Sequence, residues 1–457
     1  MKKLAIIGGG PGGLMAAYLL DRKSSYSLEI TLFEASDRLG GKIISQQFKK
    51  VPLLFEAGVA ELYDYSQNGF DPLRELIETL GLPVIPMSGK TIAFGDHFIT
   101  TETDINRYLG ETTRGAIDRF YDRIYSLISP TEFAKPKEPR NNDFIWAKRS
   151  FQSVLDEITD AKARHYFKVL SRSDLATEPH LTNGLYGLEN IFISEPNYVR
   201  LYSIEGGIQR LAQVLAKEIS AGVELNSPVV RIEKGDRDTY RVFYRRDRAI
   251  ELQEFDGVIV ALPIYWFPSI EWGEAQLNMA IQKHYEYYDR PAHYLRISML
   301  FESRFWQDTI ADSYFTSDAF GGCCIYDDSS RYNAGGYGVL SYLLAGNDAL
   351  VLNNFQDSKL IEKALANLPK SFLSGQKQFL EGQVHRWVGT INALPGGRPI
   401  KSLEERHLPE PKNHPFLFVV GDYLFDSTMT GLMHSSNFVT TEILKQLGMR
   451  SSLTKEE

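Results

Sequence analysis
Apolar residues run unbroken from Leu4 to Ile7 and recur at helical spacing from Leu14 to Asp21, which predicts a short buried strand followed by a helix. Five glycines and a proline, Gly8 to Gly13, separate the two. Ser27 to Phe33 reads SLEITLF, a partly alternating run of β-formers, and predicts a second strand ending at Glu34. Residues from about 80 to 200 carry helical patterns such as DINRYLGETTRGAIDRFYDRIYSLI. Roughly 285 to 400 alternates strand-like runs, YLRISMLF and YGVLSYLLAG, with turns. Ser129 to Asp143, rich in proline and polar residues, reads as an exposed connector, and Tyr244 to Arg248 as a solvated hairpin or strand end. No internal repeat or low-complexity tract stands out.

With 457 residues, 43% of them hydrophobic, the chain can bury more than one core. A net charge of -8 argues against nucleic acid or an anionic membrane as the main partner. The longest apolar run, GVIVALPIYWFP, falls short of the roughly 18 to 20 residues that span a bilayer. The glycine cluster also breaks any apolar centre a secretory leader would need. The two cysteines, Cys323 and Cys324, are adjacent, which predicts two buried thiols in one strand and a reducing, cytoplasmic setting. Nine scattered histidines form no metal motif, and no G-x-S-x-G elbow is present.

Gly8, Gly10 and Gly13 form G-x-G-x-x-G between the first strand and helix. The first glycine allows the tight turn, the second admits a pyrophosphate to the backbone, and the third lets helix and strand pack closely. Free N-H groups at the helix start then face the phosphates. Glu34, at the end of the second strand, is placed to accept from an adenosine ribose. At this point NAD and FAD are equally open.

EASDRLGGK, Glu34 to Lys42, resembles the segment after the second strand in the flavin-dependent amine oxidase superfamily, which includes monoamine and polyamine oxidases, L-amino-acid oxidases, protoporphyrinogen oxidase and phytoene desaturases. The resemblance implies that Gly12, Ala35, Arg38 and Gly41 belong to the cofactor turns, and that Lys42 stands where arginine is common, losing a bidentate phosphate grip. FEAGVAEL resembles the segment passing the flavin ring, with Ala57, Gly58 and Val59 at the matching positions. SIEGGIQRLAQVLAKEI and VELNSPVVRIEK resemble the turn, helix and strand that meet the adenine through Val229. After the strand in PFLFVV come Gly421 and Asp422, the latter for the ribityl chain. A helix near Gly431 follows, with Gly431, Leu432 and Met433 implied at the flavin O2 edge.

The order of these pieces predicts an α/β fold: a Rossmann-type FAD-binding domain assembled from residues 1–79, 205–284 and 401–457, with an α+β substrate domain from 80–204 and 285–400. The resemblance implies FAD, held noncovalently because no cysteine lies near the usual attachment segment. RISMLFESRFW places Arg296 where many relatives carry a lysine that holds a water near flavin N5. Arginine cannot act as a base, so Arg296 is expected to hold a water, a carboxylate or the reduced ring's charge, or else to make a structural ion pair. Leu432 occupies one wall of the amine cage, and the other falls near Trp387 and Asn392 with no matching tyrosine. His434 is a weaker candidate for a substrate contact. The implied reaction is hydride transfer from a small molecule, at a C-N bond of an amine or amino acid with O2 as acceptor. C-C desaturation, protoporphyrinogen-type dehydrogenation, redox-neutral isomerisation and flavin binding alone stay open.

Overall fold
The computed structural model describes residues 1–135, 143–332, 334–394, 398 and 400–453. Strand β1 (Lys2–Ile7) leads through the glycine turn into helix α1 (Pro11–Lys23) and returns as β2 (Leu28–Phe33). Three more strands, β3 (Gly222–Glu224), β4 (Gly257–Val260) and β5 (Leu417–Val419), complete a parallel sheet in the order β3-β2-β1-β4-β5. The sheet therefore joins three chain-distant segments. Ile6 sits opposite Leu32 and Ile259, and Ile259 opposite Phe418, so continuous apolar strands are buried on both faces, as a doubly wound sheet requires. Helix α2 (Met429–Leu453) packs on α1 and presents Val439, Ile443 and Leu447 to the same core.

The second layer has two parts. A seven-stranded sheet is centred on Pro291–Phe301, which pairs antiparallel with Gly338–Ala345 on one side and Phe379–Asn392 on the other. Side chains alternate along Pro291–Phe301: Leu295, Ile297, Met299 and Phe301 enter a core with Trp306, leaving Tyr294, Arg296, Ser298 and Leu300 on the opposite face. Helices Glu111–Leu127, Ala161–Leu175 and Gly184–Phe192 share an aromatic core in which Phe192 stacks on Tyr198 at 4.2 Å. The single helical pattern read over residues 104–128 is two helices, because Gly110 adopts a φ of 100° between them.

Within the expected connector, Ser129 caps a short helix, Pro130–Phe133, and buries Phe133. The rest of that stretch, 136–142, lies outside the described residues. Tyr244 to Arg248 spans the turn of a hairpin, Tyr240–Arg246 with Ala249–Phe255. Cys323 and Cys324 are buried free thiols in the strand Cys323–Asp327. Among the described residues no helix is long and apolar enough to cross a membrane, and no group of His, Cys, Asp and Glu is arranged to hold a metal ion.

Candidate active site
The β1-α1 turn is built for close backbone approach. Gly8 adopts a φ of 109°, and a Cβ on Gly13 would lie 2.0 Å from the Gly8 carbonyl oxygen, so only glycine lets α1 start against β1. No side chain caps α1, which leaves its first N-H groups facing the adjoining cavity. Gly10 and Gly41 bring the two glycine turns together, a Cβ on Gly41 falling 3.1 Å from Gly10 Cα. At the end of β2 the Glu34 carboxylate accepts from the Gly9 and Ser36 N-H groups, at 2.7 and 2.9 Å, so backbone donors hold it at the cavity rim.

A cavity of about 740 Å³ runs from this turn into the second layer, within the range of small-molecule sites. Gly8, Gly10, Gly12, Glu34, Ala35, Gly41, Lys42, Gly58, Val59, Val229, Gly421, Asp422 and Leu432 line it, with Trp387 farther in. Four distant segments thus converge on one elongated space bounded by glycine turns, an uncapped helix start and a carboxylate. An adenine dinucleotide fits that set of groups.

A flavin-containing amine oxidoreductase family model matches residues 11–444. The chain belongs to that family. Polyamine oxidase 4 of Oryza sativa subsp. japonica is 23% identical over 85% of this chain and 76% of its own length. Coproporphyrinogen III oxidase of Bacillus subtilis (strain 168) is 30% identical over 32% of this chain, a stretch that spans only 29% of that relative. A putrescine oxidase structure, the wild type bound to putrescine, superposes with a TM-score of 0.77 at 17% identity, covering 97% of this chain and 99% of the other, and so shares its fold. This flavin-containing amine oxidoreductase is an FAD-dependent enzyme.

Some expected contacts of this amine oxidoreductase are arranged differently. Arg38 turns back on its own loop, donating to the Gly41 and Leu39 carbonyls, and lies off the cavity wall. Lys42 Nζ is on the wall, 3.4 Å from Asp422 Oδ2 and 3.0 Å from the Thr390 carbonyl, so it braces two loops. Helix α2 begins at Met429, two residues earlier than expected, which puts Gly431 inside the first turn. The N-H groups of Gly431 and Leu432 consequently donate to Thr428 Oγ1 and to the Thr428 carbonyl, instead of standing free toward the ligand. Gly13, Ala57, Gly431, Met433, Asn392 and His434 are not among the residues that line the cavity. Ala57 contributes its carbonyl, which accepts from Trp387 Nε1 at 2.7 Å and fixes that indole.

Behind the Gly421 turn, His407 is wholly buried. Its Nδ1 lies 2.6 Å from the Leu403 carbonyl, which assigns the proton there and leaves Nε2 to accept from Ser435 Oγ at 3.0 Å. Ser435 Oγ in turn accepts from the Gly421 N-H at 3.1 Å, so the ring buttresses the Gly421 turn on the cavity wall. Burial holds the His407 pKa down at about 3, with Arg406 adding to the effect against the Leu403 hydrogen bond.

Arg296 is fully buried and also lies off the wall. Its guanidinium rests over the Tyr326 ring at 4.9 Å and reaches Asp328 Oδ2 at 3.5 Å. Arg331 pairs with the same Asp328 and lies over the same ring at 5.4 Å. Tyr294, from an aromatic-rich segment that could be read as pocket-lining, is on the inner wall, and the rest of that wall carried no such sign: Glu61, Tyr63, Asp174, Tyr186 and Leu343. Glu61 follows Val59 by two residues, a signal within reach. Asp174, on a helix far away in the chain, carried none.

Proposed function
We propose that the enzyme oxidises an amine at a C-N bond, with O2 as the final electron acceptor. The observation that carries this reading is the sign of charge on the inner wall. Glu61 and Asp174 lie there, and the one basic side chain on the wall among the described residues, Lys42, is at the cofactor end beside Asp422. Amino acids and porphyrinogens carry carboxylates, which this wall would repel. Amines carry the complementary charge, and the names of the polyamine and putrescine oxidase relatives agree with that choice.

FAD, when bound, supplies a ring that accepts a hydride equivalent from the substrate carbon. The chain's own residues orient the substrate and exclude water. Trp387 is fixed by Ala57, and Tyr294, opposite it in the neighbouring strand, is fixed by donating to the Ser173 carbonyl at 2.5 Å. Arg296 acts as a positioning residue, its charge stacked behind Tyr326. Two unpaired buried thiols suit a reducing compartment, and we place the enzyme's action in the cytoplasm.

Anaerobic mixing of the yellow protein with a panel of amines, amino acids, polyenes and porphyrinogens should bleach the flavin only with amines, and readmitted O2 should return the colour with release of hydrogen peroxide. Bleaching by a polyene or porphyrinogen and by no amine would overturn the reading.

A further inference from the structure
The strand Phe379–Asn392 is interrupted where it reaches the cavity. Ala292 lies opposite Ile391 and His293 opposite Val388, so Gly389 and Thr390 form a bulge with no partner in the neighbouring strand. Gly389 adopts a φ of 68°, and beyond the adjacent residues no atom lies within 4 Å of where its Cβ would be, so conformation and not space calls for glycine.

Contacts from the residues in and beside this bulge reach the cavity wall. Trp387 lines the wall and donates to the Ala57 carbonyl, and Ile391 lines it too. The Thr390 carbonyl accepts from Lys42 Nζ, and the Asn392 carbonyl accepts from Ser427 Oγ at 2.6 Å. Lys42 and Ser427 are themselves on the wall, so the bulge sets four of its positions at once.

A side chain of the neighbouring strand fastens the bulge. The Gly389 N-H donates to His293 Nδ1 at 2.9 Å, and the His293 N-H donates at 2.8 Å to the carbonyl of Ala176, at the end of helix Ala161–Leu175. A backbone N-H only donates, so the bond assigns the lone pair to Nδ1 and the ring proton to Nε2. An imidazolium has no such lone pair, and a second proton would set N-H against N-H at the bulge.

Ionisable groups on the elements around His293 are engaged elsewhere. Arg172, on the helix that ends at Leu175, pairs with Glu178 and Asp348, and Asp174 of the same helix lines the cavity. Arg386, on the bulged strand, pairs with Asp357. Arg290, ahead of His293, donates to the Glu286 and Asp289 carbonyls, and the Asp289 carboxylate is bonded to Tyr285. Burial alone lowers the His293 pKa from its ordinary value.

We propose that His293 is a positioning residue for the flavin site. In its neutral form it holds the Gly389 and Thr390 bulge, and with it Lys42, Trp387, Ile391 and Ser427, in the shape that retains FAD, and protonation releases that hold. This role is the same for any substrate. The hold is whole above about pH 6.5 and is lost as pH falls through the folded His293 pKa below that value.

Flavin release from the holoenzyme on dilution, read as the rise in flavin fluorescence between about pH 8 and about pH 4.5, gives the FAD Kd, and circular dichroism at each pH separates release from unfolding. The wild-type Kd should rise about tenfold toward the acid end, with a slope of no more than about one proton. In His293→Asn an amide oxygen stands in for Nδ1 and accepts at any pH, so its Kd should start near the wild-type value and change about twofold or less. His293→Leu has no acceptor and should bind FAD about tenfold more weakly already at about pH 8, with the same flat profile. Coincident profiles for wild type and His293→Asn, a flat wild-type profile, wild-type affinity in His293→Leu, or release that only accompanies unfolding overturns the role. Should His293→Leu fail to fold, wild type against His293→Asn decides it.

Discussion
Arg296 was legible as an oddity, because a strand position ahead of the Phe305-Trp306 pair holds arginine where the family resemblance implies lysine. Its surroundings were not, since Tyr326, Asp328 and Arg331 come from a stretch some thirty residues on and meet it only across paired strands. Arg296→Met should slow flavin reduction by about tenfold or more and lower stability by about 3 kcal/mol, because it leaves Asp328 short of one buried counter-charge. Paired stopped-flow and urea unfolding would check both, and unchanged reduction would leave the residue a purely structural ion pair. Glu34 was legible from spacing alone. Glu34→Gln removes the charge that Gly9 and Ser36 hold at the rim. The purified variant should carry much less flavin, with Kd raised about tenfold, and full yellow colour would count against the ribose role. Glu61 and Asp174 show where reading along a chain stops: acid residues are common, and nothing in their local pattern says that the fold brings them to one wall.

At the level of elements, strands and helices with a strong period were readable, and their ends were not. Helix α2 starts at Met429 because Thr428 caps it, donating nothing to periodicity but accepting from Gly431. The contact at the helix start was therefore expected two residues too far along. The β1-α1 packing is the reverse case, since glycine spacing reports a steric fact directly. Gly13→Ala would set a methyl 2.0 Å from the Gly8 carbonyl oxygen, and neither backbone segment can yield. The variant should lose about 3 kcal/mol or more of stability and copurify without flavin. A yellow, stable Gly13→Ala protein would mean that α1 and β1 are less tightly joined than this geometry requires.

Across the whole molecule, the discontinuous assembly of the parallel sheet follows from the order of the glycine turns, whereas the seven-stranded sheet of the second layer could be read only as alternating strands without partners. Strand pairing across gaps of tens of residues leaves no local mark. Buried neutral histidines add a pH response. His407 has a folded pKa of about 3 and His284 is also held well below its ordinary value, in both cases chiefly by burial. The unfolded chain takes up these protons below about 6.5, so their contribution is whole above that pH and is lost as pH falls toward 3. Glu61 and Asp174, raised by burial, act in the opposite sense. The effect is thus read as a difference: between pH 7 and 5, His407→Gln should lose less urea resistance than the wild type, and parallel pH profiles would refute it. The strand Leu417–Val419 and helix α2 complete the cavity wall with Gly421, Asp422 and Leu432. The glycine turn and this far side stand some four hundred residues apart in the chain, so a ligand resting on the first has no opposite wall until the second is folded against it. Truncation ahead of Leu417 should therefore leave a chain that keeps the glycine turn but does not hold the flavin, and a yellow product would refute this.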